Sequence, residues 1–124
     1  MLGKTIDQLK VGESAEFAKT VSESDIYLYA GITGDFNPAH VNEAYAQNTF
    51  FKTRIAHGML TAGFISAIIA NKLPGPGTIY MKQELSFLAP VHIGDTITGR
   101  VRSSNSTWKK TGQGLKPSVQ IRMV

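Results

Sequence analysis

The sequence predicts an α+β fold in which an antiparallel sheet curls round one buried helix. Three observations carry that expectation. Residues 57–73 are apolar on nearly every side of a helix, two strand-like stretches at 79–89 and 96–101 follow, and a proline-glycine run separates helix from strands. At 124 residues and 42% hydrophobic content, positions 1–124 make one domain with enough apolar material for a core.

Each element has its own signal. Gly12 to Thr20 sets Ala15 and Phe17 between polar neighbours, the alternation of a first strand. Ser22-Glu23-Ser24-Asp25 is a capping box, with a hydroxyl at the N-cap and a carboxylate three residues on. The helix it opens aligns Ile26, Tyr29, Ala30 and Thr33 and stops at Gly34. A loop over 34–40 follows, and Asn42 caps a short helix over 43–47. In the long helix, Met59, Leu60, Ala62, Phe64, Ile65, Ala67, Ile68, Ile69 and Ala70 cover the circumference, which predicts burial on all sides. Pro74-Gly75-Pro76-Gly77 ends it, and Pro90 with Gly94-Asp95 joins the two strands.

Composition narrows the functional classes. With no cysteine, disulfides and thiolate metal sites are excluded, and a reducing compartment fits. No basic segment followed by an apolar one opens the chain. The apolar run 59–70 is broken by Thr61 and Ser66 and falls short of the roughly 20 residues that span a bilayer. A cytoplasmic protein that does not engage membranes is expected. The net charge of +4 resides in the tail: Arg102, Lys109, Lys110, Lys116 and Arg122 stand there without an acidic residue, leaving eight basic against nine acidic residues in 1–101. A nucleic-acid binder carries its basic face on the folded body, so no nucleic-acid partner is expected.

The chemistry concentrates in Gly34-Asp35-Phe36-Asn37-Pro38-Ala39-His40. Pro38 disfavours helix at Asn37, so the stretch between Asp35 and His40 reads as non-helical and the two side chains can converge. A carboxylate beside an imidazole is suited to moving protons near neutral pH. The Asn37 amide can fold back on the local backbone and hold the turn. His57-Gly58-Met59 begins the apolar helix, which puts the Gly58 amide in the first turn, unpaired within the helix and at its positive end. Such an amide suits an oxyanion, and glycine admits close approach. Taken singly, these features have plain alternatives: an ordinary turn with a surface histidine, and simple helix-start geometry.

Tyr29, Gly31, Thr33 to Pro38, His40 and Ala46 resemble the signature of the MaoC-like (R)-specific enoyl-CoA hydratases. Ile55 to Leu60 resembles the start of that family's central helix, and Leu73-Pro74-Gly75, Leu85-Ser86-Phe87, Pro90-Val91 and Gly94-Asp95 also read as the family does. The resemblance runs from about the N-terminus through Val101. It implies a hot dog fold, a homodimer, and reversible hydration of trans-2-enoyl-CoA to (R)-3-hydroxyacyl-CoA in fatty acid or polyhydroxyalkanoate metabolism. It implies no metal and no cofactor beyond the coenzyme A of the substrate. Asp35 and His40 are the implied catalytic pair, with the division of roles open. The Gly58 amide would hold the thioester oxygen, and Ser66 matches a supporting position, although a hydroxyl bonded to its own helix explains Ser66 equally well. Asn37 is assigned to loop structure. A hot dog acyl-CoA thioesterase and a non-catalytic acyl-CoA binder are the alternatives.

Other polar residues receive modest roles. His57 is expected to cap or pack the helix start, and His92 to sit at a strand end; the three histidines lack metal-ligand spacing. Lys52, Arg54 and Lys82 are candidates to meet the phosphates of coenzyme A, but as scattered single charges they read as solvated surface. After Val101 the family pattern stops, and 102–124 is rich in Ser, Asn, Gly and Lys. Read one base out of phase, Trp108 before Lys109 forces Glu and Met123 before Val124 forces Gly. One permitted reconstruction alternates like a strand and carries an Asp-Gly hairpin signal. The tail is therefore expected to be a frameshifted, truncated reading, with 103–116 irregular and 118–124 the part able to pair. Against it, Val119, Ile121 and Met123 alternate with Gln120 and Arg122 as a strand does.

Overall fold

The computed structural model describes residues 2–104 and 119–123. After a short 3-10 turn, Ile6–Gln8, the chain enters strand β1 (Ser14–Thr20). Helix α1 (Glu23–Thr33) opens on the expected capping box: Ser22 accepts from the Asp25 amide, and the Asp25 carboxylate accepts from the Ser22 amide. It closes at Gly34, whose φ of 82° and bond to the Ala30 carbonyl form a left-handed cap. Two one-turn helices follow, α2 (Pro38–Val41) and α3 (Glu43–Ala46), the second capped by Asn42. Helix α4 (Gly58–Asn71) and strands β2 (Thr96–Ser103) and β3 (Val119–Met123) complete the α+β order.

The sheet order is β1-β2-β3. Backbone bonds link Gly12 and Glu13 to Ser103 at one end of β1, and Val21 to Gly94 and Asp95 at the other, so β1 and β2 run antiparallel. β3 pairs antiparallel with β2, Gly99 opposite Met123 and Ser103 opposite Val119. β2 thus continues two residues past Val101. Part of the tail expected to pair, 118–124, does so over Val119–Met123, while 105–118 lies outside the described residues.

Two compact units divide the chain, one of Met1–Phe17, Phe64–Glu84 and Thr98–Val124, the other of Ala18–Gly63 and Leu85–Ile97. In the first, Ile65, Ile68, Ile69 and Val101 form the core, with Ala15 and Phe17 packed against it. Phe17 meets Phe64 edge to face at 5.9 Å. A Cβ on Gly99 would stand 3.0 Å from the Ile68 side chain, so the strand approaches the helix closely there. The interior of the second unit is made of smaller and more polar groups: Val21, Ile26, Ala30, Ala46, Ala56 and Ala62, with His57 and Thr61.

Three expectations need correction. First, the non-helical reading of the stretch 35–40 holds only to Asn37, whose ψ is 127°; Pro38 then occupies the first position of α2, where a missing N–H costs nothing. Second, α4 is not buried on all sides, because Met59, Gly63, Ser66 and Ala70 form an exposed line along it. Three of these four are small residues, so leaving that side uncovered forfeits little apolar burial. Third, 79–89 is not a strand. An extended run becomes a strand only when a neighbour supplies ladder bonds, and among the described residues none pairs with it. Ile79 and Met81 are both more than three-quarters exposed.

Candidate active site

The site lies within the second unit, on two short segments. The first, 34–41, is held by its own side chains. Thr33 Oγ1 accepts from the Asp35 amide at 3.3 Å, Asp35 Oδ1 from the Asn37 amide at 3.2 Å, and Asn37 Oδ1 from the Ala39 amide at 3.0 Å. These short side-chain-to-backbone bonds give the loop its shape without a strand partner. Asn37 is at once the last of these clasps and the N-cap of the helix carrying His40.

The second segment, Ile55-Ala56-His57, is laced to the first by three bonds. The Ile55 amide donates to the Ala39 carbonyl at 3.1 Å, and His40 Nδ1 donates to the Ile55 carbonyl at 2.7 Å. His57 Nε2 donates to the Asp35 carbonyl at 2.9 Å. A carbonyl only accepts, so each contacting ring nitrogen carries a proton and leaves the opposite nitrogen to be considered. On His40 that opposite nitrogen is Nε2. The Ala56 amide bonds the Val91 carbonyl at 2.7 Å, and Ile55 bridges to His92, so the segment is anchored on its other side too.

The rings stack. The His40 and His57 centroids lie 3.9 Å apart with planes inclined 31°, and Tyr29 meets His57 at 4.7 Å. Asp35, His40 and His57 each offer a potential ligand atom within 4.8 Å of the others. Asp35 is exposed, His40 half-buried and His57 buried. One nitrogen of each ring already donates to a backbone carbonyl, so each imidazole keeps a single nitrogen for any other partner.

Gly58 follows His57 directly and begins α4, so its amide belongs to the first turn. A Cβ there would stand 2.7 Å from the Phe87 ring, so the ring occupies the space that glycine leaves. Ser66, eight residues on in α4, is exposed and belongs to the first unit. Asp35, His40 and Asn37 are thus gathered by one loop with Gly58 on the neighbouring segment, while Ser66 shares only the helix.

Two residues were undervalued by sequence alone. His57 does pack the helix start, but it also touches both Asp35 and His40. Arg54 is no solvated surface cation: its side chain is only 12% exposed and bonds Glu23, Glu43 and the Tyr27 hydroxyl. The Arg54 guanidinium and then the Tyr27 hydroxyl hold the Glu23 carboxyl below the ordinary glutamate range. Thr53, then Arg54, do the same for Glu43, while the bond to Glu23 raises Arg54 itself. This network pins the residue next to Ile55 to α1 and α3. The signal that could have exposed it is the Glu23 to Tyr27 spacing on one helix face.

Comparison with known proteins places this geometry. The MaoC-like domain family matches residues 7–121, a span that continues into the tail. The chain is 66% identical over 95 residues to an (R)-specific enoyl-CoA hydratase of Rhodospirillum rubrum, covering 77% of this chain and 66% of that protein. It is 50% identical over 95 residues to a 3-hydroxybutyryl-CoA dehydratase of Methylorubrum extorquens, covering 77% and 60% respectively. The matched part therefore spans 66% and 60% of these two relatives, less than two thirds of each. Among solved structures, an (R)-hydratase from A. caviae involved in PHA biosynthesis superposes with a TM-score of 0.83 at 34% identity, over 93% of this chain and 84% of that one. Such likeness establishes the hot dog fold that the resemblance implied. By family match and by structure alike, this chain belongs to the MaoC-like domain family.

Proposed function

We propose that the protein is a lyase that reversibly hydrates trans-2-enoyl-CoA to (R)-3-hydroxyacyl-CoA, in fatty acid or polyhydroxyalkanoate metabolism. One observation carries the reading: a carboxylate oxygen of Asp35 and a ring nitrogen of His40 lie within 4.8 Å of each other, on a loop laced to the segment that begins α4. Water must lose a proton as its oxygen bonds to C3, and C2 must gain one. A carboxylate and an imidazole at this separation can serve both transfers, in either division of roles. Negative charge develops meanwhile on the thioester oxygen, where the Gly58 amide at the positive end of α4 would stabilise it by about 3 kcal/mol. Ser66 would support substrate binding from further along the helix. The reaction needs no cofactor beyond the coenzyme A carried by the substrate.

The similarity to proteins named as enoyl-CoA hydratase and 3-hydroxybutyryl-CoA dehydratase supports the substrate class. We read the protein as a cytoplasmic homodimer. The exposed apolar side chains Leu28, Ile32 and Phe36 support self-association, and no helix among the described residues is long and apolar enough to cross a membrane. The test is incubation with crotonyl-CoA, following the enoyl thioester absorbance and free thiol in parallel. Loss of absorbance without thiol supports hydration. Thiol release with the double bond intact would identify a thioesterase, and binding with neither signal a non-catalytic acyl-CoA binder.

A further inference from the structure

We propose that His57 is a positioning residue that sets the geometry between Asp35 and His40; the proposal rests on the hydration reading of that pair. His57 is 2% exposed and stands immediately before α4. Its single ring makes two contacts of different kinds. Through Nε2–H it holds the backbone carbonyl of Asp35 at 2.9 Å, and through its face it stacks on the His40 ring at 3.9 Å. The first contact fixes the loop from which the Asp35 carboxylate projects. The second, with the His40 bond to the Ile55 carbonyl, limits the plane in which the His40 imidazole can lie. The distance between the two reactive groups is therefore measured by one rigid ring.

Two observations separate this role from plain packing and from direct chemistry. His57 Nδ1 is buried without a hydrogen-bond partner among the described residues, and burying such an atom is unfavourable. A phenylalanine would fill the same volume without that cost, so the nitrogen that does bond, Nε2, is the reason for an imidazole here. The Nε2 proton is committed to the Asp35 carbonyl, and Nδ1 is buried with no partner among the described residues, so the ring is held in place and neither nitrogen faces solvent. Tyr29, at 4.7 Å, packs against the same ring and steadies it.

The experiment separates the two contacts. His57→Phe keeps a ring for stacking but loses the N–H, and His57→Gln keeps an N–H donor but loses the ring. In the full chain, kcat and KM for crotonyl-CoA are measured per folded protein, with circular dichroism to confirm the fold. The His40 ring resonances are recorded by NMR without substrate. Each variant is expected to lower kcat about 10- to 100-fold, as misplacement of catalytic groups does. KM should change less than about twofold, and the His40 resonances should move as the stacked ring is altered or withdrawn. Wild-type kcat in either folded variant, or His40 resonances unmoved in both, overturns the proposal. A purely structural His57 would lower the melting temperature while leaving kcat per folded site and the His40 signals unchanged. Should His57→Phe fail to fold, the His40 signals of His57→Gln decide. If the wild-type protein hydrates nothing, the functional reading falls, whereas the NMR comparison still tests the positioning.

Discussion

The two compact units are held by different physics. The first buries Ile65, Ile68, Ile69 and Val101 against Phe17, and its cohesion is a matter of apolar area and close packing. The second has alanines at 30, 46, 56 and 62, and what binds its segments is polar: the clasps of loop 34–41, the lacing of 55–57, and the Arg54 network. Alanine interiors supply little area per residue, so directional bonds must specify the arrangement. The candidate site sits in this second kind of interior. Catalytic groups need defined distances, which hydrogen bonds give and shape-filling alone does not.

Substitutions can break that contrast or sharpen it. The largest effect is expected at the pair itself. Asp35→Asn and His40→Gln should each reduce crotonyl-CoA hydration about 10²–10⁴-fold while circular dichroism stays native, since each removes one proton-transfer group. Near wild-type turnover in either would show that the pair is misassigned. In the first unit, Ile68→Ala removes a side chain with 0% exposure. It should cost about 2–5 kcal/mol in denaturant unfolding; a cost below ~1 kcal/mol would mean that this interior is not close-packed.

Asn37→Ala tests the clasped loop. It deletes the N-cap of α2 and should cost about 1 kcal/mol of stability. Its larger effect should fall on kcat, because His40 loses its rigid platform. The Arg54 network gives a pH signature. Glu23 and Glu43 titrate below their ordinary value of 4.5, so their stabilisation is complete above it and disappears as pH falls through the depressed values. Arg54→Met should therefore lower the melting temperature at neutral pH and flatten its decline on acidification. Equal slopes for wild type and variant would show that the network does not hold this unit. Met81→Lys, in the exposed 79–89 segment, should change stability by no more than about 0.5 kcal/mol. A much larger loss would reveal a packing partner for that segment.

Much of this protein could be read locally. The capping box at Ser22, the glycine stop at Gly34, the Asn42 cap and the strand 14–20 all depend on residues within a few positions of one another. The family signature in 29–46 was legible for the same reason: side chains in 33–39 fold back on their own backbone, so sequence spacing nearly is geometry. Where covering elements matter, local reading failed. The alternation in 79–89 signals a strand, but a ladder requires a partner that no local pattern supplies. The apolar circumference of α4 suggested complete burial, yet which side stays open depends on what packs against it.

The sequence by itself determined the caps and stops of α1 and α3, the first strand and the side-chain clasps of loop 34–40, because each follows from short-range sterics and hydrogen bonding. Tertiary structure alone decided what His57 and Arg54 do. His57 lies 22 positions from Asp35, and Arg54 lies 31 positions from Glu23. A lone histidine or arginine looks the same in sequence whether solvated or locked. Only folding determines which carbonyl, ring or carboxylate it meets, because the energy of a polar contact depends on distance, direction and exclusion of water, none of which is a property of one residue.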